Sequence, residues 1–370
     1  MRRLIVRIGI PLVALLGCVL MASGQSLCDF QPPESTIGSA ELSFAYQHHD
    51  DGRTPEVDSS LGQLTTRAER IHDSPMLGYT LSVDTELSLD TWTATSWLGG
   101  GSASYRYYVS QELPLFVYAA VRLDAATYYV QPSCEIRSGV GVGRFRDVTP
   151  LAKTFRILRE LLETGNVNRP LLSRAMIQIA DEIARESEYD AFDDYVTAVA
   201  EAIGAAIGTP LDSAGVLAVQ TELENEETER YCGAILQGGV GYELVDPYGD
   251  VRDVLYVMSA DVGQALTPDS QLRCKMSWSG ASEDFLGENT SILDVIYAAE
   301  LADGNEVRAE YSITRFSAEA NAAVVSQSAG VEYTLDWKPA DVVLNLSLSK
   351  ESGDPRWTVD LSISLAIDLL

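Results

Sequence analysis

The residues best suited to chemistry stand together at His48-His49-Asp50-Asp51. Imidazole and carboxylate groups can bind a metal cation or act in hydrolysis. Neighbouring residues of a strand point to opposite faces, however, so the two histidines would not line one site. The remaining histidine, His72, is distant in sequence, and no serine nucleophile motif accompanies these residues. We therefore predict a solvated loop edge here, with no catalytic residue, no metal site and no cofactor.

Residues 1–24 have the pattern of a secretory signal peptide. Three arginines precede the apolar run 8–21, and Ala22-Ser23-Gly24 fits a cleavage site. An alternative takes Leu15-Leu16-Gly17-Cys18 as a lipoprotein signal, with the cysteine lipidated. The residue two positions before that cysteine suits this alternative poorly, and more apolar sequence follows. We expect cleavage after residue 24.

The composition excludes one class of partner. The chain of 370 residues carries 54 acidic and 26 basic residues, which gives a formal net charge of −28. Affinity for nucleic acid depends on a basic surface, so no nucleic-acid partner is expected. Two interpretations of the acidic surplus stay open: a solvated exterior, or a pore that prefers cations. After the signal no stretch has the roughly 20 apolar residues of a membrane helix, which leaves a soluble protein or a β-barrel.

The segment 357–369 alternates strictly between apolar residues at odd positions and small or polar residues at even positions. A strand points successive side chains to opposite faces, so this segment predicts a strand with one apolar and one polar face. The pattern recurs often enough to predict an antiparallel transmembrane β-barrel of about fourteen strands. The predicted strands are 37–48, 61–72, 75–90, 102–112, 114–128, 134–147, 232–245, 251–265, 270–280, 289–302, 305–317, 322–337, 340–350 and 355–370.

The connections between the predicted strands alternate in length. Even-numbered connections such as His72-Asp73-Ser74 are compact and rich in turn residues, whereas most odd-numbered ones, 49–60 and 91–101 among them, are longer and polar. Bacterial barrels have short periplasmic turns and longer external loops. The alternation therefore supports the barrel prediction and predicts which connections lie in the periplasm.

Residues 149–230 interrupt the strands with a different pattern. Apolar residues recur at helical spacing, and Thr149-Pro150 and Thr209-Pro210 are each predicted to be an N-cap followed by a proline at the first helical position. We predict an all-α insert of about four helices. Because the insert follows an even-numbered strand, we expect it in the periplasm.

From about residue 36 to 370 the sequence resembles Gram-negative outer-membrane β-barrels of the porin-like kind, and the junction 139–150 is similar to that of barrels with a helical insert. The resemblance implies location in the bacterial outer membrane, with outer-membrane lipid and the assembly machinery as partners. Such barrels usually end in an aromatic residue, whereas this chain ends in Asp368-Leu369-Leu370.

Glycines flank the insert on one face of each adjoining strand. A glycine on a lumen face leaves room for another backbone, so we predict that the insert docks against or into the periplasmic mouth as a plug or gate. The alternative is that these glycines ease the curvature of the wall. The candidate docking residues are Gly139, Gly141 and Gly143 before the insert, and Gln237, Gly239, Gly241 and Glu243 after it.

The cysteine spacing matches no zinc pattern, and an oxidising periplasm permits disulfides. Cys28 and Cys232 are both expected near the periplasmic face, so they are candidates for a disulfide. Cys134 and Cys274 have no evident mate, and connectivity is not deducible from the sequence.

These observations predict a signal peptide (1–24), two barrel segments (25–148 and 231–370) and a helical periplasmic insert (149–230). The expected function is a porin-like channel for small cationic or neutral solutes, plugged or gated by the insert. The alternative is a non-conducting scaffold whose helical domain recruits a periplasmic protein. The sequence identifies neither the solute nor the protein partner.

Overall fold

A computed structural model of the chain describes residues 27–49, 59–90, 93–167, 169, 171–224, 229–249, 253–285, 287–301, 304–317, 323–335, 341–352 and 356–368. The predicted signal peptide and the pair Asp50-Asp51 lie outside the described residues. His48 and His49 end the first strand, but their side chains are not among those described.

The described residues form fourteen antiparallel strands in one closed barrel, in which each strand pairs with its neighbours in sequence and the last pairs with the first. This confirms the predicted fold class. The strands are β1 (Ser35–His49), β2 (Ser59–Asp73), β3 (Leu77–Asp90), β4 (Thr93–Tyr108), β5 (Leu115–Ala126), β6 (Ser133–Asp147), β7 (Tyr231–Val245), β8 (Val254–Thr267), β9 (Ser270–Ala281), β10 (Asn289–Glu300), β11 (Glu306–Ser317), β12 (Val324–Leu335), β13 (Asp341–Glu351) and β14 (Thr358–Asp368).

One predicted loop is wrong. Residues 91–101 were expected to connect two strands, but β4 begins at Thr93 and continues through the glycines Gly99 to Gly101. Small residues and three successive glycines hide the alternation in this segment. The register nevertheless holds on both sides, because Gly100 lies opposite Asp84 on β3 and Asp124 on β5.

The outward face of the barrel is apolar. Leu81 and Val83 of β3, for example, are 45% and 49% exposed, while their neighbour Ser82 points inward and hydrogen-bonds Ser102 at 2.7 Å. A sheet face in contact with water would be polar. This extent of exposed apolar surface therefore indicates that the outer face contacts an apolar environment. The large outward side chains include Leu77, Leu81, Val83, Trp97, Tyr105, Tyr107, Leu115, Val117, Leu123, Ile136, Val140, Leu236, Val240, Tyr256, Met258, Val331, Leu346, Val359, Leu361 and Ile363.

The residues described between β6 and β7 form four α-helices: α1 (Thr149–Glu163), α2 (Ser173–Ile183), α3 (Phe192–Ile207) and α4 (Ser213–Glu224). Pro150 lies in the first turn of α1 as predicted, although the N-cap position is Val148. The cap predicted at Thr209-Pro210 is wrong. The helix there starts at Ser213, and the Asp212 carboxylate accepts a hydrogen bond from the Gly215 backbone N–H at 2.8 Å.

The described residues divide into two compact units. The helical unit comprises 27–31, 148–224 and 265–268, and it has its own apolar core built on Ile157 and Leu161 of α1, with Ile179 of α2. Ion pairing supplements this core, because Arg156 Nε donates to Glu222 Oε1 at 2.6 Å. No described helix is both long and apolar enough to cross a membrane.

The glycines of the inner wall generate a stability prediction. A Cβ at Gly141 would lie 2.5 Å from Phe116 Cε2 and 2.7 Å from the Leu236 carbonyl oxygen, and a backbone oxygen cannot move aside easily. We expect Gly141→Ala to destabilise the barrel by about 1–3 kcal/mol, the usual cost of overpacking. Urea unfolding of the detergent-solubilised protein measures this.

The matched control is Gly238→Ala, since a Cβ there would approach nothing closer than 3.8 Å. Equal unfolding midpoints for the two variants would contradict the prediction.

Candidate functional site

The inner wall of the barrel is the surface that solutes or ligands would contact. Strand register assigns its residues, because side chains directly opposite one another on paired strands share a face. Acidic side chains outnumber basic ones on this inner wall. The described inward acidic residues include Glu41, Glu69, Asp73, Asp84, Glu86, Asp124, Glu135, Asp147, Glu243, Asp261, Asp294, Glu300, Glu306, Glu310, Glu332, Glu351 and Asp360, and the basic ones include Arg67, Arg106, Arg122, Arg137, Arg273, Lys275 and Arg308.

The seven candidate docking residues all lie on one patch of this wall, because β6 and β7 are neighbours. Gly139 and Gly141 have aromatic rings over them: a Cβ at Gly139 would be 2.8 Å from Tyr118 Cε1, and Phe116 covers Gly141 in the same way. The space that these two glycines leave is therefore filled by the barrel's own side chains.

The other glycines of the patch allow close approach of groups from the same wall. Gly143 has a φ of 118°, which other residues rarely adopt, and a Cβ at Gly239 would be 2.8 Å from the Gly139 Cα. Gly241 lies beneath the carboxylate of Glu135. Beside them, Gln237 Oε1 is buried with no hydrogen-bond partner. Docking of the helical insert on this patch stays a prediction.

Aromatic and aliphatic side chains pack together inside the barrel, where a polar wall was expected. These side chains come from β1, β2 and β4 to β7. Some of these strands are not adjacent in the barrel, so the packing reaches across the lumen. We call this group the interior cluster: Ile37, Ile71, Tyr108, Phe116, Tyr118, Phe145, Tyr231 and Ile235. Sequence reasoning missed it, although Tyr108, Phe116 and Tyr118 occupy inward positions that should be polar in a water-filled barrel.

Asp73 holds one side of the interior cluster in place. Its carboxylate accepts hydrogen bonds from the Tyr108 hydroxyl at 2.7 Å, the Phe145 backbone N–H at 3.1 Å and Arg106 Nη2 at 3.3 Å. The side chains of Asp73 and Arg106 are only 1% and 3% exposed. The hydrogen bonds of Asp73 join β2, β4 and β6, while Arg106 Nε is buried with no hydrogen-bond partner among the described residues.

Strands β1 and β6 also approach each other across the lumen. They lie five strands apart in the closed order, yet some of their Cα atoms come within 8 Å of each other. The backbone N–H of Asp147 donates to Ser35 Oγ at 3.0 Å at this point. These contacts are at the barrel end that carries the β2–β3 and β4–β5 turns, which we call the short-turn end. On this side the short-turn end is closed by side chains of the wall itself.

A second set of contacts crosses the full width of the barrel. Arg273 of β9 donates to Glu69 of β2 at 2.7 and 3.2 Å, and also to Asp261 of β8 at 2.7 and 3.1 Å. Lys275 Nζ lies 3.0 Å from Glu69 Oε1. We call these four residues the cross-lumen bridge. Strands β2 and β9 are seven strands apart in either direction round the barrel, so the bridge joins opposite walls.

Several inward side chains of β12 to β14 and of β1 to β3 are exposed to solvent, unlike Ile37 of β1 and Ile71 of β2, which belong to the interior cluster. Glu41, Asp84 and Asp360 are acidic members of this set, and serines supply much of the rest. The exposed inward residues of these strands include Ser39, Glu41, Gln63, Arg67, Asp84, Ser326, Ser328, Ser349, Glu351, Thr358 and Asp360. Water therefore has access to this part of the lumen.

The cysteines differ in their state. Cys28 and Cys232 are each disulfide-bonded, whereas Cys134 carries a free thiol. That the first two pair with each other stays a prediction. In the part of the chain that the structure describes, no group of three or more His, Cys, Asp or Glu side chains could hold a metal ion.

The closed strand order, the apolar outward face and the charged inward face together decide the architecture. The fold is a porin-like antiparallel β-barrel. No protein-family model and no curated protein sequence matches the chain.

Among solved structures, OccAB1 of Acinetobacter baumannii is 8% identical, with a TM-score of 0.34 over 90% of this chain and 96% of that one. OccK2 (OpdF) of Pseudomonas aeruginosa, in complex with glucuronate, is 8% identical, with a TM-score of 0.34 over 92% and 100%. Wzi of Escherichia coli, a carbohydrate-binding outer-membrane barrel involved in group 1 capsule assembly, is 6% identical, with a TM-score of 0.33 over 91% and 84%. These TM-scores are too low to decide anything about this chain, whose fold its own strand pairing establishes.

Glu229 lies outside the strands, two residues before β7, and its carboxylate accepts a hydrogen bond from the Gly38 backbone N–H of β1 at 2.7 Å. Burial, with repulsion from Asp147, raises the pKa of Glu229 from 4.5 to about 8, against the opposing effect of the Gly38 hydrogen bond. The folded protein therefore keeps a proton on this group that the unfolded chain would release.

The consequence is a stability that falls as pH rises. Between about 4.5 and 8 the folded state binds more protons than the unfolded state at Glu229, so the free energy of unfolding decreases with increasing pH. We expect Glu229→Gln to remove this part of the pH dependence, leaving the barrel more stable than wild type near pH 8. Urea unfolding at several pH values measures it, and parallel pH profiles for the two proteins would contradict it.

Proposed function

We propose that this protein is an outer-membrane channel for small solutes, that it favours cationic or neutral solutes over anions, and that its helical insert acts as a gate. The observation that carries the proposal is the water-exposed, predominantly acidic inner wall inside a closed barrel with an apolar exterior.

The exterior supports a location in a membrane. Closure satisfies the backbone hydrogen bonds of every strand between its neighbours, as a bilayer requires. The strands are 11 to 16 residues long, enough for the roughly 9–11 residues of a tilted membrane crossing. Together with the predicted signal peptide, these features favour the bacterial outer membrane.

The interior supports selection by size and charge. A barrel of fourteen strands exceeds the width that inward side chains alone would fill, so a channel is available unless something crosses it. The cross-lumen bridge and the interior cluster do cross it, which restricts passage to small solutes. Acidic side chains that line the remaining space raise the local concentration of cations and repel anions.

The insert is connected to the interior through the chain itself. Helix α1 starts two residues after β6 ends, and β7 starts at Tyr231, seven residues after the last helical residue described. The rings of Phe145 on β6 and Tyr231 on β7 meet edge to face, with centroids 5.5 Å apart. A displacement of the insert would therefore act on two members of the interior cluster, which is the basis for proposing a gate.

A second candidate is a non-conducting scaffold or binding protein whose helical domain recruits a periplasmic partner. The interior cluster favours it, because Tyr108, Phe116 and Phe145 are at most 1% exposed and close part of the lumen. Conductance separates the two candidates, since a sealed barrel would pass no ions.

The first test is single-channel recording of the purified, refolded chain in planar bilayers. We expect discrete conductance steps. Under a KCl gradient we expect the reversal potential to be shifted from zero toward the equilibrium potential of potassium, because the exposed lumen is acidic. Heat-modifiable migration on gels confirms that each preparation is folded. A folded barrel that stays silent would contradict the channel and support the scaffold, and an anion-selective reversal potential would contradict the proposed selectivity.

The second test removes the insert. We expect replacement of residues 150–229 by a short Gly-Ser linker to change the conductance or the gating frequency, because the linker can no longer act on Phe145 and Tyr231. Substitution of Leu172, which is 82% exposed in the helical unit, by serine serves as the control and should leave the recordings unchanged. Recordings from the deletion variant identical to those of the full chain would contradict the gate.

A further inference from the structure

We infer that the cross-lumen bridge divides the interior into two lobes and that solutes pass only through one of them, the lobe lined by β10 to β14 and β1. The inference rests on the proposed channel function and deepens it, because it assigns the path and the residues that select the solute. The residues with the largest effect on selectivity are expected to be Glu332 and Glu41, and the solute class is small cations.

The bridge is built as a partition. Arg273 is inside the barrel with only 10% of its side chain exposed, and its guanidinium makes two hydrogen bonds to Glu69 and two to Asp261. Its Cζ also lies 5.3 Å from the centroid of the Tyr231 ring. Paired bonds from a planar guanidinium fix orientation as well as distance, so opposite walls are held together at this level.

The lobe on the β3 to β8 side of the bridge is filled at the short-turn end, whereas Asp84 and Arg122, farther from that end, are exposed. Tyr108, Phe116 and Phe145 are almost completely buried there, and the Asp73–Arg106 pair joins the wall beside them. Ser104, the inward neighbour of Arg106 on β4, has a buried hydroxyl. A hydrated ion has no passage through packed side chains of this kind.

The other lobe is lined by small and charged side chains that stay in contact with water. Ser326 and Ser328 of β12 and Asp360 of β14 are exposed although they point inward. Gly330 lies between Ser328 and Glu332 on the same inward face, and a Cβ there would meet only one atom within 4 Å. The space in front of β12 is therefore open.

Five charged groups occupy inward positions on this side of the barrel: Glu332, Arg308, Glu306, Glu41 and Arg67. Arg308 lies directly opposite Glu332 on paired strands, and Glu306 is the inward neighbour of Arg308 on β11. Three of the five groups are acidic, so the group carries a net negative charge when all are ionised. Glu41 also lies directly opposite Arg67 on paired strands, which places acids and bases side by side across the path. Such a group favours small cations and disfavours anions.

The path is tested by the reactivity of single cysteines toward a membrane-impermeant, cationic methanethiosulfonate reagent. The variants Ser328→Cys in the open lobe and Ser104→Cys in the filled lobe are made in a background with Cys134→Ser and Cys274→Ser, which retains Cys28 and Cys232. Both substitutions replace a hydroxyl by a thiol, so they perturb the fold similarly. We expect modification of Ser328→Cys at least about tenfold faster than of Ser104→Cys, and a fall in conductance only for the former. Equal rates would overturn the inference.

The partition is tested by Arg273→Ala, with Arg122→Ala as the matched control. Arg122 also points inward, but it pairs with Asp124 of its own strand and its side chain is 51% exposed, so it joins no opposite walls. We expect the first variant to raise the reactivity of Ser104→Cys and to enlarge the conductance, and the second to do neither. An unchanged reactivity in Arg273→Ala, with folding verified by heat-modifiable migration, would contradict the partition.

The selectivity is tested by Glu332→Gln, with Glu135→Gln as the control on the other side of the bridge. We expect the cation-to-anion permeability ratio to fall at least about twofold in the first variant and to stay near wild type in the second, since Glu135 already pairs with Arg137. Equal effects of the two variants would contradict the assignment of the path.

Failure of the channel and failure of the path give different results. Mass spectrometry detects thiol modification whether or not ions flow. A silent barrel in which Ser328→Cys reacts and Ser104→Cys does not would overturn the channel while upholding the two lobes. A conducting barrel in which both positions react equally would uphold the channel and overturn the two lobes.

Discussion

The hydrogen bonds between Arg273 and Glu69 constrain the whole interior of this barrel. Their residues belong to strands that are as far apart as fourteen strands allow, and yet the nitrogen and oxygen are 2.7 Å apart. A ring of this many strands would otherwise enclose a wide aqueous lumen. Once opposite walls touch, the inner side chains of one half can bury one another, and those of the other half stay in water. The different burial of the two halves thus has one origin.

The glycines beside the insert and the aromatic residues of the interior cluster pack together and depend on each other. Phe116 and Tyr118 of β5 occupy the space in front of Gly141 and Gly139 of β6, which a Cβ at either glycine would enter. Asp73 then fixes the far side of the cluster through the Tyr108 hydroxyl and the Phe145 backbone N–H. The filled half of the barrel is therefore a hydrophobic core with a buried ion pair, as in a soluble protein, although it lies behind a wall whose exterior is apolar.

Strand number, strand position and the existence of the insert were predictable from the sequence, because alternation and helical spacing are local patterns. The glycine-rich start of β4 was not, since Gly99 to Gly101 carry no side chains that could alternate. Alternation alone places Gly139, Gly141 and Gly143 on one face of their strand, but no local pattern shows which side chains fill the space before them. Asp73 was read as a turn residue, and nothing near Glu69 in sequence points to Arg273. Contacts across a lumen join residues about 200 positions apart, and no local pattern encodes such pairs.

The interior cluster takes members from both sides of the helical insert, with Phe145 before it and Tyr231 after it. Until the seventh strand has been added, the first six carry aromatic side chains with no complete core to enter. The helical insert must be synthesised before that strand, and longer chain segments close more slowly and at a greater entropic cost. The order of assembly therefore depends on the insert. The first six strands cannot complete their packing, and the barrel cannot close with its final cross-section, until the C-terminal half has been synthesised and has paired.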